Sequence, residues 1–198
     1  MQTFIIATHN QKKLAELERI LLPLGICAKT AEQAGFTLKE VEETGATFEQ
    51  NARLKAEAAM RQTGLPAVAD DSGLVVDALS GAPGVYSARY AGENATDEQR
   101  NQKLLHALEG VPEPERTARF VSVVCCAFPG GEAVCARGEC EGRIAFAPHG
   151  DRGFGYDPLF LVGERTYAEL SDAEKDAVSH RGRALAALQQ MLRKRSCT

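Results

Sequence analysis

The stretch IIATHNQKKLAELERIL, residues 5–21, changes character twice and predicts how the chain begins to fold. It opens as a short apolar run typical of a buried strand and breaks into the polar residues THN at 8–10. It then continues with leucines three and four residues apart, which lie on one face of a helix. We therefore predict a strand over 2–7, a polar turn, and a helix over 11–22 that Pro23 and Gly25 end.

Length, composition and charge restrict the class of protein. The chain has 198 residues, of which 44% are hydrophobic and 25% charged, so one domain with a substantial core is expected. The formal net charge of -4 argues against a nucleic-acid partner and favours a small polyanion held by a local pocket of lysine and arginine. No apolar run reaches the roughly 18 to 20 residues of a membrane span, and no signal peptide is recognisable. We therefore expect a cytoplasmic protein with no membrane partner.

The cysteines predict neither a metal site nor a redox motif. No two of them have CxxC spacing, which zinc sites and dithiol motifs usually require. In the cytoplasm most of them are expected to be reduced thiols that fill the sheet. The six are Cys27, Cys125, Cys126, Cys135, Cys140 and Cys197.

A second helix is marked by signals at both of its ends. Thr47, with Gln50 three residues later, has the spacing of a capping box, and Gly64 is placed to end the helix. The apolar run at 65–69 then predicts a short strand that leads directly into the acidic pair at 70–71.

The rest of the chain alternates between strand and helix patterns. Residues 96–108 predict a third helix with no obvious chemistry. The segment 118–128 is apolar on both faces, as a central strand is, and 132–146 alternates between apolar and charged residues. The turn PGGE between these two strands predicts an antiparallel hairpin. Residues 177–195 predict a last helix with a basic end.

The polar turn after the first strand is a candidate anion site. Asn10 lies where a helix N-cap belongs and Thr8 precedes it, so the positive end of the helix dipole is expected there. Lys13, one turn into the helix, could contact a phosphate as a point charge. The alternative is an ordinary capped helix with a solvated lysine. A GxxxxGK[ST] motif does not occur, which disfavours a P-loop enzyme.

Two acidic pairs, Glu42 with Glu43 and Asp70 with Asp71, are candidate metal ligands. Mg²⁺ prefers carboxylate oxygens and retains waters that a phosphate can replace. Asp70 and Asp71 are predicted at a strand end, a common place for functional residues in α/β proteins. The alternative is that all four are exposed turn acids, which is the commoner role of such residues.

Two further segments have residues suited to a flat, polar ligand. In GFGYD, residues 153–157, glycines surround Phe154, so the main chain could approach a ring that stacks on the phenyl group. Lys175, His180 and Arg181 can donate hydrogen bonds to carbonyl or phosphate oxygens. The alternatives are a hydrophobic loop that plugs the surface and a surface His-Arg pair without a role.

Six segments in this order and at these separations closely resemble the inosine/xanthosine triphosphate pyrophosphatase (ITPase) family. The resemblance covers almost the whole chain, and His9 stands where a small residue, often glycine, would be expected. The segments are THNQKK at 8–13, EETGATFEQNARLKA at 42–56, ADDSGLVVDAL at 69–79, GAPGVYSARY at 81–90, GFGYDPLF at 153–160 and SHRGRAL at 179–185.

The resemblance implies a fold, an activity and a cofactor. The fold would be α/β, with a long twisted mixed β-sheet flanked by helices, in a single domain over 1–198 that has two lobes and a central cleft. The activity would be Mg²⁺-dependent hydrolysis of ITP, dITP and XTP to the monophosphate and pyrophosphate, which cleanses the nucleotide pool. A homodimer would be the usual assembly.

The resemblance also implies roles for individual residues. Asp71 would be the general base, Glu42 and Asp71 would bind the metal, and Asp70 would support them or be a ligand itself. Donors in the base pocket would favour purines with a carbonyl oxygen at position 6 over adenine, which has an amino group there. The substrate-binding positions would be Thr8, His9, Asn10, Gln11, Lys12, Lys13, Lys55, Ser72, Phe154, Gly155, Tyr156, Asp157, Lys175, His180 and Arg181.

Two other functions are compatible with the same motifs. A Maf-like nucleotide pyrophosphatase would share the general architecture and act on other bases. A nucleotide-binding module would hold a triphosphate without cleaving it, although paired acids beside phosphate are unfavourable unless a metal is present.

Overall fold

The computed structural model describes residues 3–8, 10–22, 26–39 and 41–195, except the side chains of Gln11 and Arg195. These residues form seven β-strands and five α-helices. The strands are β1 (Thr3–Ile6), β2 (Cys27–Thr30), β3 (Ala67–Val76), β4 (Thr117–Ala127), β5 (Ala133–Ile144), β6 (Phe160–Val162) and β7 (Arg165–Thr166). The helices are α1 (Gln11–Leu21), α2 (Phe48–Thr63), α3 (Asp97–Ala107), α4 (Asp172–Val178) and α5 (His180–Arg195).

The strands form one mixed sheet in the order β2-β1-β3-β4-β5-β6-β7. β1 pairs in parallel with β2 on one side and with β3 on the other. β6 pairs antiparallel with both β5 and β7. The sheet is open, with β2 and β7 at its edges, and the predicted α/β class with a mixed sheet is confirmed.

The chain divides into two compact units, and the first contains the start of α1 and the acidic pair of β3. Its core clusters show which helices cover the strands. Ile6 packs in a cluster with Leu17 of α1 and Leu185 of α5. Ile5, which points to the opposite face of β1, packs in a cluster with Ala59 of α2. The first unit is Met1–Asp71, Ser122–Gly138 and His180–Thr198.

The second unit has its own core, built around aromatic rings. Phe160 packs edge-on against Phe120 and Tyr167, with ring centroids 4.7 and 4.9 Å away. Leu104 and Leu108, of α3 and the residue after it, are fully buried in the same cluster. The unit is Ser72–Val121 and Glu139–Ser179.

The helix signals of the sequence are mostly confirmed. The Thr47 Oγ1 accepts from the Gln50 N–H at 3.2 Å, and Gly64 ends α2 with a φ of 69°. The capping box is not complete, because the Gln50 side chain accepts from the N–H of Ala46 rather than of Thr47. The predicted end of α1 at Pro23 and Gly25 lies outside the described residues. No helix in the described ranges is both long and apolar enough to cross a membrane.

The predicted short strand over 65–69 is wrong in its extent. β3 runs for ten residues, Ala67–Val76, so Asp70 and Asp71 lie within the strand rather than at its end. The β-branched Val75 and Val76 continue the strand beyond the acids, and the SG pair between them does not make a turn. Because neighbouring strand residues point to opposite faces, Asp70 and Asp71 face different helices.

The predicted last helix over 177–195 is two helices. Ser179 has an extended backbone, with φ -71° and ψ 154°, and separates α4 from α5. Ser171 caps α4 and forms a reciprocal capping box with Glu174. The break places His180 and Arg181 in the first turn of α5.

β4 and β5 are neighbours joined by a connection too short for a parallel crossover, in agreement with the predicted hairpin. The Phe128 N–H donates to the Glu132 carbonyl at 2.9 Å and closes the turn. Cys125 and Cys135, whose Cα atoms lie 4.0 Å apart on these strands, form a disulfide. The expectation of thiols is therefore wrong for this pair, because spacing along the chain does not show which residues become neighbours across a hairpin.

The other cysteines divide into two groups. Cys27, Cys126 and Cys140 are thiols that form no disulfide among the described residues, and the last two are buried, as the sequence predicted. Cys197 lies outside the described residues.

Gly138 allows β5 to approach the first turn of α5. A Cβ atom at this position would collide with main-chain atoms of His180 and Ala184. Main chain cannot move aside as a flexible side chain can, so we expect Gly138→Ala to destabilise the protein by about 1–3 kcal/mol in urea unfolding. Arg137→Ala, at the exposed neighbouring position, is the control and should change stability by less than about 0.5 kcal/mol. Equal stability of the two variants would contradict the close packing.

Candidate active site

The candidate site begins where β1 ends and β3 continues. Ile6, the last residue of β1, is paired with Val68, and the Ala7 N–H donates to the Val68 carbonyl at 2.8 Å. β3 continues past this point to Asp70 and Asp71. In open α/β sheets, ligands bind beyond the carboxyl ends of parallel strands, and this end of β1 leads directly to α1.

Asn10 caps α1 as predicted. Its Oδ1 accepts from the N–H groups of Lys12 and Lys13 at 3.0 and 3.1 Å, and its own N–H donates to Thr8 Oγ1 at 3.2 Å. The cap therefore already occupies the N–H groups of Lys12 and Lys13 in the first turn. What remains for a phosphate is the positive end of the helix and the side chain of Lys13. The predicted contacts of His9 and of the Gln11 side chain lie outside the described residues.

Asp70 is the centre of a buried ionic cluster. Its Oδ2 lies 3.4 Å from Lys13 Nζ and accepts from Arg181 Nη2 at 3.0 Å. Arg181 also donates through Nη1 to Glu16 of α1. Burial alone would raise the pKa of Asp70, but attraction by Lys13, Arg181 and Lys55 outweighs it and holds the pKa well below its usual range. Asp70 is therefore a permanent anion.

Asp71 is held by α2, which covers the opposite face of the strand. Lys55 Nζ lies 3.4 Å from Asp71 Oδ1 and donates to Glu43 Oε1 at 2.6 Å. Asn51 Nδ2 donates to Asp71 Oδ2 at 3.3 Å, and Asn51 Oδ1 accepts from the Gly45 N–H at 2.8 Å. Asn51 thus ties the segment before α2 to the carboxylate.

Burial and neighbouring charges together raise the pKa values of Asp71 and Lys55 and lower that of Lys13. Burial raises the pKa of Asp71 more than Lys55 and Lys13 lower it, so this carboxylate is a stronger base than an exposed aspartate. Burial, together with Lys55 and Arg181, lowers the pKa of Lys13 despite its pairing with Asp70. Burial also acts to lower the pKa of Lys55, but Asp71, Asp70 and Glu43 together raise it.

The acidic residues could contribute oxygen ligands to a divalent cation. Asp70 Oδ1 is buried and accepts no hydrogen bond within the part of the chain that the structure describes. Glu43 and Asp71 both reach one positive centre, the Lys55 ammonium. Glu42, the ligand that the resemblance implies, is exposed, because consecutive residues of this irregular segment point in different directions. In the described ranges, no group of three Asp, Glu, His or Cys side chains could hold a metal ion.

The second unit contains the other predicted binding segment. Asp157 Oδ2 accepts from the Phe154 N–H and from Lys175 Nζ, both at 2.8 Å. The Lys175 ammonium also lies 4.9 Å from the ring centroid of Phe154 and 5.5 Å from that of Tyr167. A lysine held between aromatic rings and a carboxylate has a fixed position from which it can donate to a ligand.

Other predicted residues have roles that the motifs did not show. Tyr156 is buried, its hydroxyl donates to the Ser87 carbonyl at 2.9 Å, and burial raises its pKa, so it holds the loop in place. Arg181 is predicted to contact the base, and the structure pairs it with the carboxylates of Asp70 and Glu16. His180 is buried at the start of α5, and Ser72 follows Asp71 on β3, half-buried.

The sequence predictions missed two residues of these clusters, Glu16 and Asn51. Glu16 is three residues after Lys13 and Asn51 is four before Lys55, so each shares a helix face with a predicted residue, and that spacing could have identified it. Glu43 was named only as half of an acidic pair, and no sequence pattern distinguishes it from Glu42.

Comparison with known proteins finds similarity along nearly the whole chain. The model of the Ham1 family matches residues 4–191. A dITP/XTP pyrophosphatase of Geobacter sulfurreducens is 54% identical over 194 residues, covering 97% of each chain. A protein of the same description from Bacillus subtilis is 47% identical over 194 residues, covering 97% of this chain and 98% of the relative. The solved structure of a HAM1 protein from Coxiella burnetii has a TM-score of 0.87 at 45% identity, covering 98% of this chain and all of that one.

Arg181 compensates two buried carboxylates, so its loss should be costly. We expect Arg181→Met to lower the free energy of unfolding by about 3–5 kcal/mol, because Asp70 and Glu16 would remain buried without it. Arg183→Met, at an exposed position of the same helix, is the control and should cost less than about 1 kcal/mol.

The pH dependence of this cost follows from the lowered pKa of Asp70. A carboxylate whose pKa is lowered by folding contributes stability above its unfolded-state pKa of about 3.9 and loses it as the pH falls through the folded-state value. The difference between wild type and Arg181→Met in urea unfolding should therefore persist from pH 8 to pH 5 and narrow only in stronger acid. A difference that disappears near neutral pH would show that the pair with Asp70 is not its source.

Proposed function

The chain belongs to the Ham1 family, and we propose that it hydrolyses dITP, XTP and ITP to the nucleoside monophosphate and pyrophosphate. Relatives about 50% identical over almost the whole chain are described as dITP/XTP pyrophosphatases. The observation that carries the proposal is the cluster at β3, where a buried basic carboxylate, Asp71, lies beside two lysines that enter from different helices. A cluster of this kind can bind a triphosphate and accept a proton from water.

Lys13 and Lys55 bind the phosphate chain. Lys13 Nζ lies 3.4 Å from Asp70 and Lys55 Nζ lies 3.4 Å from Asp71, both long for an ion pair, while Lys55 is also held by Glu43 at 2.6 Å. A triphosphate chain carries several negative charges and a carboxylate carries one. The ammonium groups can therefore turn from the carboxylates towards the phosphate oxygens. The start of α1, capped by Asn10, adds the positive end of its dipole.

Asp71 accepts the proton of the attacking water. Its raised pKa favours that transfer, since a general base works best when its pKa approaches the operating pH. The Asn51 amide holds Oδ2, and the movement of Lys55 to a phosphate leaves Oδ1 to take the proton. Water then attacks the α-phosphorus and pyrophosphate leaves.

The acids of this cluster fit a magnesium ion. The resemblance assigns Glu42 and Asp71 as ligands, and Glu43, which shares the Lys55 ammonium with Asp71, supplies a further oxygen of the type that Mg²⁺ prefers. When bound, Mg²⁺ would neutralise phosphate oxygens as charge develops on the leaving group.

Base recognition is assigned to loop 153–157 and Lys175, which belong to the second unit. Phe154 offers a ring for stacking, and the Lys175 ammonium is a donor suited to the carbonyl oxygen at position 6 of hypoxanthine and xanthine. Adenine would place an amino group against that donor. A buried polar group left without its partner is the strongest means by which a site rejects a ligand.

The other functions considered from the sequence are not favoured. The match to the Ham1 family argues against a Maf-like enzyme, and the raised pKa of Asp71 has no use in a module that only binds nucleotides. On the family resemblance we also propose that the protein is a cytoplasmic homodimer.

A substrate panel tests the activity and its metal requirement. We expect pyrophosphate release from dITP, XTP and ITP with a kcat/KM at least about 100-fold above that for ATP, because the donors of the base pocket suit a carbonyl oxygen. Activity should require Mg²⁺ and disappear with EDTA. Release of orthophosphate instead of pyrophosphate, or equal rates for all bases, would refute the proposal.

Two substitutions separate chemistry from binding. Asp71→Asn cannot accept the proton, so kcat should fall by about 10²–10⁴-fold in the same assay. Lys13→Ala removes a phosphate contact and should mainly raise KM. Lys29→Ala, an exposed lysine on β2, is the matched control and should behave as wild type. Near-normal turnover of Asp71→Asn would remove this residue from the mechanism.

A further inference from the structure

The N-terminal half of α3 contacts the main chain of the segment Gly153–Asp157, here called the glycine loop. The Gly155 N–H donates to Asp97 Oδ2 at 2.9 Å. Asn101 Nδ2 donates to the Gly155 carbonyl at 3.0 Å. Asp97 and Asn101 are four residues apart and therefore share one face of the helix. Both main-chain polar groups of one loop glycine are thus bound by side chains of α3.

The two α3 side chains are themselves fixed. Arg100 donates to the other carboxylate oxygen of Asp97 and to the Ala88 carbonyl. Asn101 is buried, with 7% of its surface exposed, so its amide has little freedom to turn. The capping box of Thr96 and Gln99 fixes the start of the helix next to Asp97. Contacts of this kind transmit the position of α3 to the glycine loop.

Gly155 lies between the groups to which base recognition is assigned. Its φ of 64° is a left-handed conformation that glycine adopts readily and that other residues adopt rarely. Phe154 precedes it, and Asp157, the partner of Lys175, follows two residues later. A shift of the Gly155 peptide would therefore move the Phe154 ring and the Lys175 ammonium relative to each other. A displacement of about 1 Å between groups that contact a substrate is enough to lower its rate of reaction by about 100-fold, so such a shift would reduce selectivity.

We infer that Asp97 and Asn101 are positioning residues that determine base selectivity by holding the glycine loop, without touching the nucleotide themselves. The inference rests on the proposed function, because the loop is assigned to the base through that function. The contacts themselves belong to one compact unit and do not depend on the identity of the substrate.

Selectivity is measured with Asn101→Leu and Asp97→Ala. In each variant one main-chain group of Gly155 loses its partner. We expect kcat/KM for XTP and dITP to fall about 10-fold, while kcat/KM for ATP does not fall, because the loop no longer holds the donors in the selective geometry. The melting temperature should stay within about 4 °C of the wild type. Gln102→Leu, at the exposed position next to Asn101, is the matched control and should retain the full selectivity ratio.

Asp97→Asn provides a rescue. An amide oxygen at this position can still accept from the Gly155 N–H. The ratio of kcat/KM for XTP to that for ATP should therefore lie closer to the wild-type value in Asp97→Asn than in Asp97→Ala. An equal loss of kcat/KM for all nucleotides, or an unchanged ratio in Asn101→Leu, would overturn the inference.

Hydrogen–deuterium exchange tests the contacts independently of activity. Peptides that cover 150–158 should exchange at least about 10-fold faster in Asn101→Leu than in wild type, and peptides from α5 should not change. Unchanged exchange of the loop would overturn the inference even if the wild type is an active pyrophosphatase. If the wild type is inactive but the loop exchanges faster in the variant, the proposed function is refuted. The result would still establish that the side chains of α3 hold the glycine loop.

Discussion

Two adjacent carboxylates on β3 are the constraint on which the arrangement of the first unit depends. Asp70 and Asp71 are both buried, and buried charges are tolerated only when they are paired. Since they point to opposite faces of the strand, helices on both faces must supply cations. α1 and α5 bring Lys13 and Arg181 to Asp70, and α2 brings Lys55 to Asp71. Apolar clusters pack these helices against the strands, and the cations that the helices carry compensate the two buried carboxylates.

The two carboxylates are compensated to different degrees, and this difference shifts their pKa values in opposite directions. Asp70 has a guanidinium partner that is itself tied to Glu16, and its pKa is lowered. Asp71 has an amide and a lysine at 3.4 Å, and its pKa is raised because burial outweighs these contacts. In the function proposed above, Asp70 would stay charged while Asp71 accepts a proton, and the opposite pKa shifts of these neighbours suit that division.

Sequence patterns predicted the features that arise from local chemistry. The caps at Asn10 and Thr47 and the stop at Gly64 depend on residues within one turn, so composition and spacing were sufficient to find them. The family resemblance placed Lys13, Lys55 and Asp71 among the site residues, and the structure brings them into one cluster. The partners of these residues could not be predicted. Asp70 and Arg181 are 111 residues apart, and no periodicity connects them.

The errors in the predicted elements also arise because contacts between distant parts of the chain cannot be read from local patterns. The serine and glycine after Asp71 suggest a turn, yet β3 continues because its later residues pack in the core of the second unit. The helix pattern over 177–195 continues across Ser179, and only the backbone conformation of that residue shows the break. The disulfide between Cys125 and Cys135 required knowledge of strand pairing. Tertiary contacts decided each of these points, and local propensity did not.

The pKa values of the two lysines shift in opposite directions, because Lys13 has fewer negative charges of its own than Lys55 has. Lys55 has Glu43 in addition to the two aspartates, and its pKa is raised. Lys13 shares Asp70 with Arg181, so burial and neighbouring cations lower its pKa. In the function proposed above, a phosphate group placed at the start of α1 would supply negative charge to this lysine. The positive end of the capped helix would favour the same group through its dipole.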